Sequence, residues 1–315
     1  MTELEFGPEA IDPEIAAAQA AQAALHPTTD ATTLPVAEAR ALAERRNAFW
    51  NTERPPLAAV EELSLPGPAG PLRARLYRPH GAAADWATLY LHGGGWVICS
   101  IDTHDRIAAQ LAHDSGAAVL AVDYRLAPEH PFPAGLEDCL AAAAWLRGRF
   151  PRIAVAGDSA GANLALAAGL ALRDRGEGAA ALGLFYGCYA PDFSTESYRR
   201  YGDGRVGLSR AGMEWFWRHY LGGTLAAPPA LAAPLTADLA GLPPCYLNLA
   251  ALDVLRDDTV RLAGRLAAAG VPHRLDVWPG APHGFLHMVR MAGPAARAVA
   301  AAGAALRDLA GRAAP

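Results

Sequence analysis

The 315-residue sequence has no lysine; all 27 of its basic residues are arginine. Schiff-base chemistry, a phosphate-loop lysine and Ser-Lys hydrolysis each need a lysine amine, so all three are excluded. Cysteine is scarce as well. Cys99, Cys139, Cys188 and Cys245 are scattered with no Cys-x-x-Cys pair, which predicts reduced thiols rather than disulfides or a metal site. No run of about 18 uncharged apolar residues occurs, so no membrane span is predicted. Met1 to Gly7 carries Glu3 and Glu5 without a basic residue ahead of an apolar run, so no secretory signal is read there and a cytoplasmic location is expected. A net charge of -5 gives no attraction for a polyanion such as nucleic acid. With 52% hydrophobic and 19% charged residues, the composition is that of a soluble globular enzyme.

The pattern of apolar residues changes along the chain. Residues 9–56 are Ala-rich and helical in character, broken by Pro27 and Pro35 and ended by Pro55-Pro56. From Leu57 the text alternates: Val60 to Leu65 and Leu72 to Tyr77 predict a paired hairpin. Apolar runs at Ala87 to Leu91, Ala117 to Val122, Ile153 to Ala156, Ala181 to Phe185, Tyr246 to Ala250 and Leu275 to Trp278 follow, with helical text at 104–115, 134–149, 160–175 and 257–269. Strands alternating with helices predict an α/β fold, with a mostly parallel sheet covered on both faces. The stretch 188–229 breaks the rhythm. It is rich in aromatics, including Trp215, Phe216 and Trp217, and too long for a connecting loop. The expected organisation is a helical cap from 1–56 and 188–229 over a catalytic core from 57–187 and 230–315, closed by a final helix from about Pro294 to Arg312.

Gly157-Asp158-Ser159-Ala160-Gly161 follows one strand and opens a helix, the context of a nucleophile elbow. A serine on so sharp a turn is strained, and side chains two residues away on either side would collide, which the glycines avoid. His92-Gly93-Gly94-Gly95-Trp96 ends an earlier strand. Three glycines leave backbone N–H groups free to face a substrate oxygen, so Gly94, Gly95 and Ala160 are the candidate oxyanion donors. His92 is read as tying this loop down, and Trp96, Trp215 and Phe216 as walling a pocket for short acyl chains. A serine hydroxyl needs an imidazole to take its proton and a carboxylate to orient that imidazole. Asp253 and His283 stand after the next-to-last and last strands, giving the chain order Ser, Asp, His. Asp257 and Asp258 compete for the acid's role, with helix capping as their alternative task, and His287 competes with His283. The other histidines, His104 among them, are expected at the surface or in caps. Neither a metal nor a cofactor is expected. Gly202-Asp203-Gly204-Arg205-Val206-Gly207 has the letters of a dinucleotide-binding loop but follows no predicted strand.

These blocks, together with Asp123-Tyr124-Arg125-Leu126-Ala127-Pro128-Glu129-His130-Pro131-Phe132-Pro133-Ala134, Asp253-Val254-Leu255-Arg256-Asp257 and His283-Gly284-Phe285, resemble the bacterial hormone-sensitive-lipase-like esterases within the α/β hydrolases. They fall in order from 89 to 287. The resemblance implies an eight-stranded sheet, a helical cap, and hydrolysis of short acyl esters by Ser159, Asp253 and His283. It gives the block from Asp123 to Ala134 a buttressing role. Where that family often has proline after the acid, this chain has Val254. The expected partner is a small-molecule ester, with a homo-oligomer compatible. An arylformamidase or amidase would use the same machinery, and a small-molecule receptor on this fold is a third reading, which the presence of His283 disfavours.

Overall fold

A computed structural model describes residues 5–7, 9–26, 29–83 and 85–312. Eight strands form one sheet in the order β1-β2-β4-β3-β5-β6-β7-β8. β1 (Ala59–Gly67) and β2 (Gly70–Arg78) are the expected hairpin, and β2 also runs antiparallel to β4. β3 (Trp86–Leu91), β4 (Ala118–Val122), β5 (Arg152–Asp158), β6 (Ala181–Phe185), β7 (Cys245–Leu252) and β8 (His273–Pro282) run parallel to one another. Every residue of β3, β4, β6 and β7 is buried. That burial explains why these strands read as continuous apolar runs, since helices cover a parallel sheet on both sides.

The helices divide between the two faces. α4 (Ala134–Arg147), α5 (Ala160–Asp174) and α8 (Arg256–Ala268) contribute Leu136, Leu164 and Leu262 to one buried cluster with Leu89, Val155 and Leu247 of the sheet. α3 (Asp105–Ser115) and α9 (Gly293–Arg312) pack Leu111, Ala302 and Leu306 on the other face, against Tyr90, Val119 and Phe185. α3 ends at Gly116 with φ +69°, a left-handed cap that a residue bearing Cβ adopts only under strain.

The N-terminal text forms α1 (Pro13–Leu25) and α2 (Val36–Ala48). Asp12 caps α1 by accepting from the Glu14 and Ile15 N–H groups, ahead of Pro13 at the first helical position. Pro35 stands at the start of α2, while Pro27 lies outside the described residues, as do residues 1–4. The aromatic insertion holds α6 (Glu196–Tyr201) and α7 (Arg210–Tyr220). Its rings do not form a separate core: Tyr198, Tyr201, Phe216, Trp217 and Tyr220 belong to the same buried cluster as α4 and α5. The Gly-x-Gly-x-x-Gly text at 202–207 is the turn between α6 and α7, well away from any strand end. Among the described residues no helix is long and apolar enough to cross a membrane.

A charged knot fastens β1 and β2 to the start of α3. Arg75 pairs with Glu62, with Asp102 at 2.6 Å and with Asp105 at 2.7 Å; Asp105 also accepts from Arg54 and from the Tyr77 hydroxyl. Arg75 and Asp105 are buried, so each depends on its partners for the solvation it has lost. Replacing Asp105 by alanine leaves the Arg75 and Tyr77 donors without that acceptor and should destabilise the fold by about 3 kcal/mol in urea unfolding. A loss under about 1 kcal/mol would mean that Glu62 and Asp102 suffice for Arg75.

Candidate active site

The carboxyl ends of β3, β5, β7 and β8 deliver the site. β5 runs into Ser159, whose φ of 54° and ψ of -119° place it in a strained conformation at the start of α5. The turn is tight because the backbone of β3 passes directly over it. A Cβ at Gly161 would stand 1.9 Å from the Leu91 carbonyl oxygen, and one at Gly157 would stand 2.4 Å from the Gly161 oxygen. Glycine at both positions is therefore a requirement of the crossing itself.

Ser159, Asp253 and His283 are brought together. Asp253 Oδ2 lies 2.7 Å from His283 Nδ1, and His283 Nε2 lies 2.9 Å from Ser159 Oγ. A carboxylate only accepts, so Nδ1 carries the proton and Nε2 presents its lone pair to the serine hydroxyl. The other oxygen of Asp253 accepts from the Leu255 N–H at 3.0 Å, which fixes the carboxylate in a fully buried turn. Val254, in place of proline, is buried and its carbonyl accepts from the Ser197 hydroxyl at 2.7 Å.

The glycine loop closes the other side. Gly94, Gly95 and Trp96 all have positive φ, and the Gly94 carbonyl accepts from Val97 and Ile98. Among the described residues, no acceptor faces the N–H of Gly94, Gly95 or Ala160. Backbone donors left without partners beside a serine are available to an anionic oxygen. A Cβ at Gly95 would lie 2.0 Å from the Phe216 ring, so α7 packs directly on this loop. Tyr124 stacks on the His92 ring at 4.3 Å and donates to the His92 carbonyl at 2.7 Å, and the Ala127 N–H donates to the Trp96 carbonyl. The Asp123 to Ala134 segment thus braces the loop from behind. Burial, followed by the nearby His104, pushes His92 down to about 3, leaving a neutral ring that ties the loop down.

A cavity of about 190 Å³ opens over Ser159 and His283, bordered by Gly94, Gly95, Leu208, Met213 and Phe216. Of the three aromatics expected to wall it, only Phe216 is on its border. Trp96 points the other way, stacked on Tyr220 at 4.1 Å and packed against Trp217, because the positive φ of this residue turns its side chain into the core. Trp215 sits edge-on to Phe216 at 5.1 Å and beside His219, one position off the inward face of α7.

Two further expectations are corrected. Asp257 and Asp258 stand in the first turn of α8 but do not cap it. Asp258 Oδ2 accepts from the Tyr189 N–H at 2.7 Å, and Asp257 Oδ2 from the Ser197 N–H at 2.8 Å, so both hold the insertion against the core. His104 is neither at the surface nor a side-chain cap. It is buried with its Nε2 3.4 Å from Asp158 Oδ2 and its ring 4.5 Å from that of His287, beneath the glycine loop. Asp158 Oδ1 accepts from the Gly93 N–H at 3.0 Å and the Tyr90 hydroxyl at 2.7 Å. Burial raises the Asp158 carboxyl, but His104 outweighs it and the net shift is well downward. His287 is pushed down to about 3 by burial and then by His104. Sequence reasoning passed over this group because its members are far apart in the chain. Asp158 stands within the elbow text and His287 competes with His283 in the sequence reading, but nothing in the chain joins either to His104.

Residues 88–287 match the α/β-hydrolase fold family. An esterase from the bacterial hormone-sensitive lipase family is 35% identical with a TM-score of 0.85, covering 96% of this chain and 99% of that one. The chain belongs to this family. The Pyrobaculum calidifontis esterase superposes on 95% of this member and 99% of its own chain, with a TM-score of 0.86 and 35% identity. The carboxylic ester hydrolase LipN of Mycobacterium tuberculosis is 38% identical over 252 residues, which cover 75% of this chain and 67% of LipN.

Within this family member, Asp258 offers a test of how the insertion is held. Burial pushes its carboxyl up to about 7, against the opposing pull of the Tyr189 and Ala190 N–H groups, and Oδ1 has no partner among the described residues. The unfolded carboxyl ionises near 3.9, so between the two values the native state binds the extra proton and stability falls as pH rises. Asp258→Asn cannot titrate. From pH 5 to pH 8 the wild type should therefore lose about 2 kcal/mol relative to Asp258→Asn in urea unfolding. Parallel profiles would show that the buried carboxylate is ionised throughout.

Proposed function

We propose that this chain is a carboxylic ester hydrolase working through an acyl-enzyme on Ser159. One observation carries the reading: the unbroken hydrogen-bonded line from Asp253 through His283 to the strained Ser159 hydroxyl. The esterase names of relatives that cover most of the chain support it. As Ser159 Oγ attacks the ester carbonyl, His283 Nε2 takes its proton, and Asp253 stabilises the imidazolium that forms. The N–H groups of Gly94, Gly95 and Ala160 receive the oxyanion. The C–O bond to the alcohol breaks as His283 returns the proton to it, and water then releases the acid by the same steps. α1, α2, α6 and α7 serve as the cap, with α7 supplying Phe216 and Met213 to the acyl side of the cavity. Arg40 of α2 supports this division, since it binds the Val97 and Ala127 carbonyls beside the oxyanion loop.

A fluorophosphonate probe should label Ser159 alone, and Ser159→Ala or His283→Ala should lose essentially all p-nitrophenyl acetate turnover. Asp253→Asn should cost about 10⁴-fold in kcat, while Asp257→Asn should stay within about tenfold and lose mainly stability. Labelling at a different serine would overturn the nucleophile, and an active Asp253→Asn beside an inactive, folded Asp257→Asn would overturn the acid.

The cavity is small beside the roughly 300–1,000 Å³ of sites for drug-sized ligands, which favours acyl chains of about two to eight carbons. Met213→Ala should shift the kcat/KM optimum of a p-nitrophenyl ester series toward longer chains. Efficient hydrolysis of emulsified long-chain triglycerides by the unaltered enzyme would refute the closed acyl pocket.

A further inference from the structure

We propose that His104, Asp158 and His287 form an inhibitory binding site for a borderline divalent transition ion such as zinc, opening onto the cavity that holds Ser159. One ligand atom from each residue lies within 4.8 Å of the other two. Tetrahedral zinc, with bonds near 2.0–2.1 Å, asks for ligand atoms roughly 3.3 Å apart. The 3.4 Å between His104 Nε2 and Asp158 Oδ2 already meets that spacing, and the His287 ligand atom, within 4.8 Å of both, would have to draw closer on binding.

The surroundings set each ligand in the state a metal requires. Thr103 Oγ1 donates its single proton to the Ser100 carbonyl at 2.8 Å, so toward His104 Nδ1, also at 2.8 Å, it acts as the acceptor. Nδ1 therefore carries a proton, and Nε2 faces both the Asp158 carboxylate oxygen at 3.4 Å and the Gly93 N–H, which donates to it at a long 3.3 Å. An ion between Nε2 and the carboxylate would take both lone pairs, with the Gly93 N–H keeping its shorter bond to the other Asp158 oxygen at 3.0 Å. Asp158 is oriented by the Tyr90 hydroxyl and the Gly93 N–H on one oxygen, leaving the other toward His104. Metal ligands ordinarily have outer partners of this kind. His287 contributes a ring whose Nδ1 is buried without a hydrogen-bond partner among the described residues, and burial keeps that ring neutral. Two imidazoles and one carboxylate suit zinc better than magnesium or calcium.

All three residues border the cavity together with Ser159 and His283, which gives the ion an entry path and an open coordination position for water. An ion there does not activate the serine. Its charge opposes formation of the His283 imidazolium, it draws on the carboxylate that holds Gly93, and it fills space next to the nucleophile.

The test is an optical titration of the chelator-treated full-length chain with cobalt(II), displaced by zinc(II), read from the visible bands of low-coordinate cobalt. One saturating equivalent is expected, with p-nitrophenyl acetate turnover falling in step with occupancy. His104→Gln and His287→Gln should each weaken binding at least tenfold, and His283→Ala should leave the cobalt spectrum in place. The spectrum does not depend on turnover, so it remains informative even if the ester hydrolase reading fails. Absence of saturable binding by the wild type, retention within twofold in whichever ligand variants fold, or loss on His283→Ala would overturn the proposal.

Discussion

The crossing of two backbones at the carboxyl end of the sheet constrains everything built around it. β3 ends with its Leu91 carbonyl pressed against the elbow that follows β5, close enough that no side chain fits at Gly161 or Gly157. Because the strands are parallel neighbours, with Leu91 level with Gly157, the chain leaving β3 must emerge directly beside the serine. The glycine loop and Ser159, the proposed nucleophile, are thus placed by one contact. An oxyanion donor must sit about 3 Å from the oxygen of the carbonyl that a serine attacks, and shared strand register supplies that accuracy without relying on flexible side chains.

Charge is managed differently on the two sides of this crossing. On the His283 side, a buried carboxylate faces a single imidazole and has one backbone N–H on its other oxygen, so any positive charge that His283 gains is already compensated. On the His104 side, Asp158 faces two imidazoles, one of which burial holds neutral. The first arrangement welcomes a transient proton on its histidine. The second is a standing brace, in which a carboxylate pulled well below its usual range secures Gly93 and Tyr90. Two carboxylate–histidine groups, Asp158 with His104 and Asp253 with His283, thus lie on either side of Ser159 in different surroundings.

Much of this was legible in the sequence because it rests on local rules. A glycine-bounded serine between a strand and a helix has few structural meanings, and continuous apolar runs marked the buried strands to within one or two residues at β3, β4 and β6. What escaped was decided by direction and by distant contacts. Trp96 sits beside the oxyanion glycines, yet its backbone takes a left-handed conformation and sends the ring to Tyr220. Trp215 and Phe216 are neighbours in sequence, and the helical rotation of about 100° per residue separates the one that reaches the cavity from the one that does not. His104 has no informative neighbours in the chain, because its partners arrive from β5 and from the turn after His283.

The insertion and Asp253, the proposed catalytic acid, are mechanically joined. Asp253 begins a turn that leads straight into α8, and the first turn of α8 is the part that grips the insertion through Asp257 and Asp258. The Ser197 hydroxyl completes the tie by donating to the Val254 carbonyl, the residue after the acid. A displacement of α6 therefore pulls on the turn just after Asp253, whereas α7 rests on the glycine loop through Phe216 and Gly95. The two helices of one insertion thus contact two different parts of the proposed site. A movement of the insertion as one body would therefore reach the Asp253 turn through Ser197 and the glycine loop through Phe216, each helix bearing on one of the two.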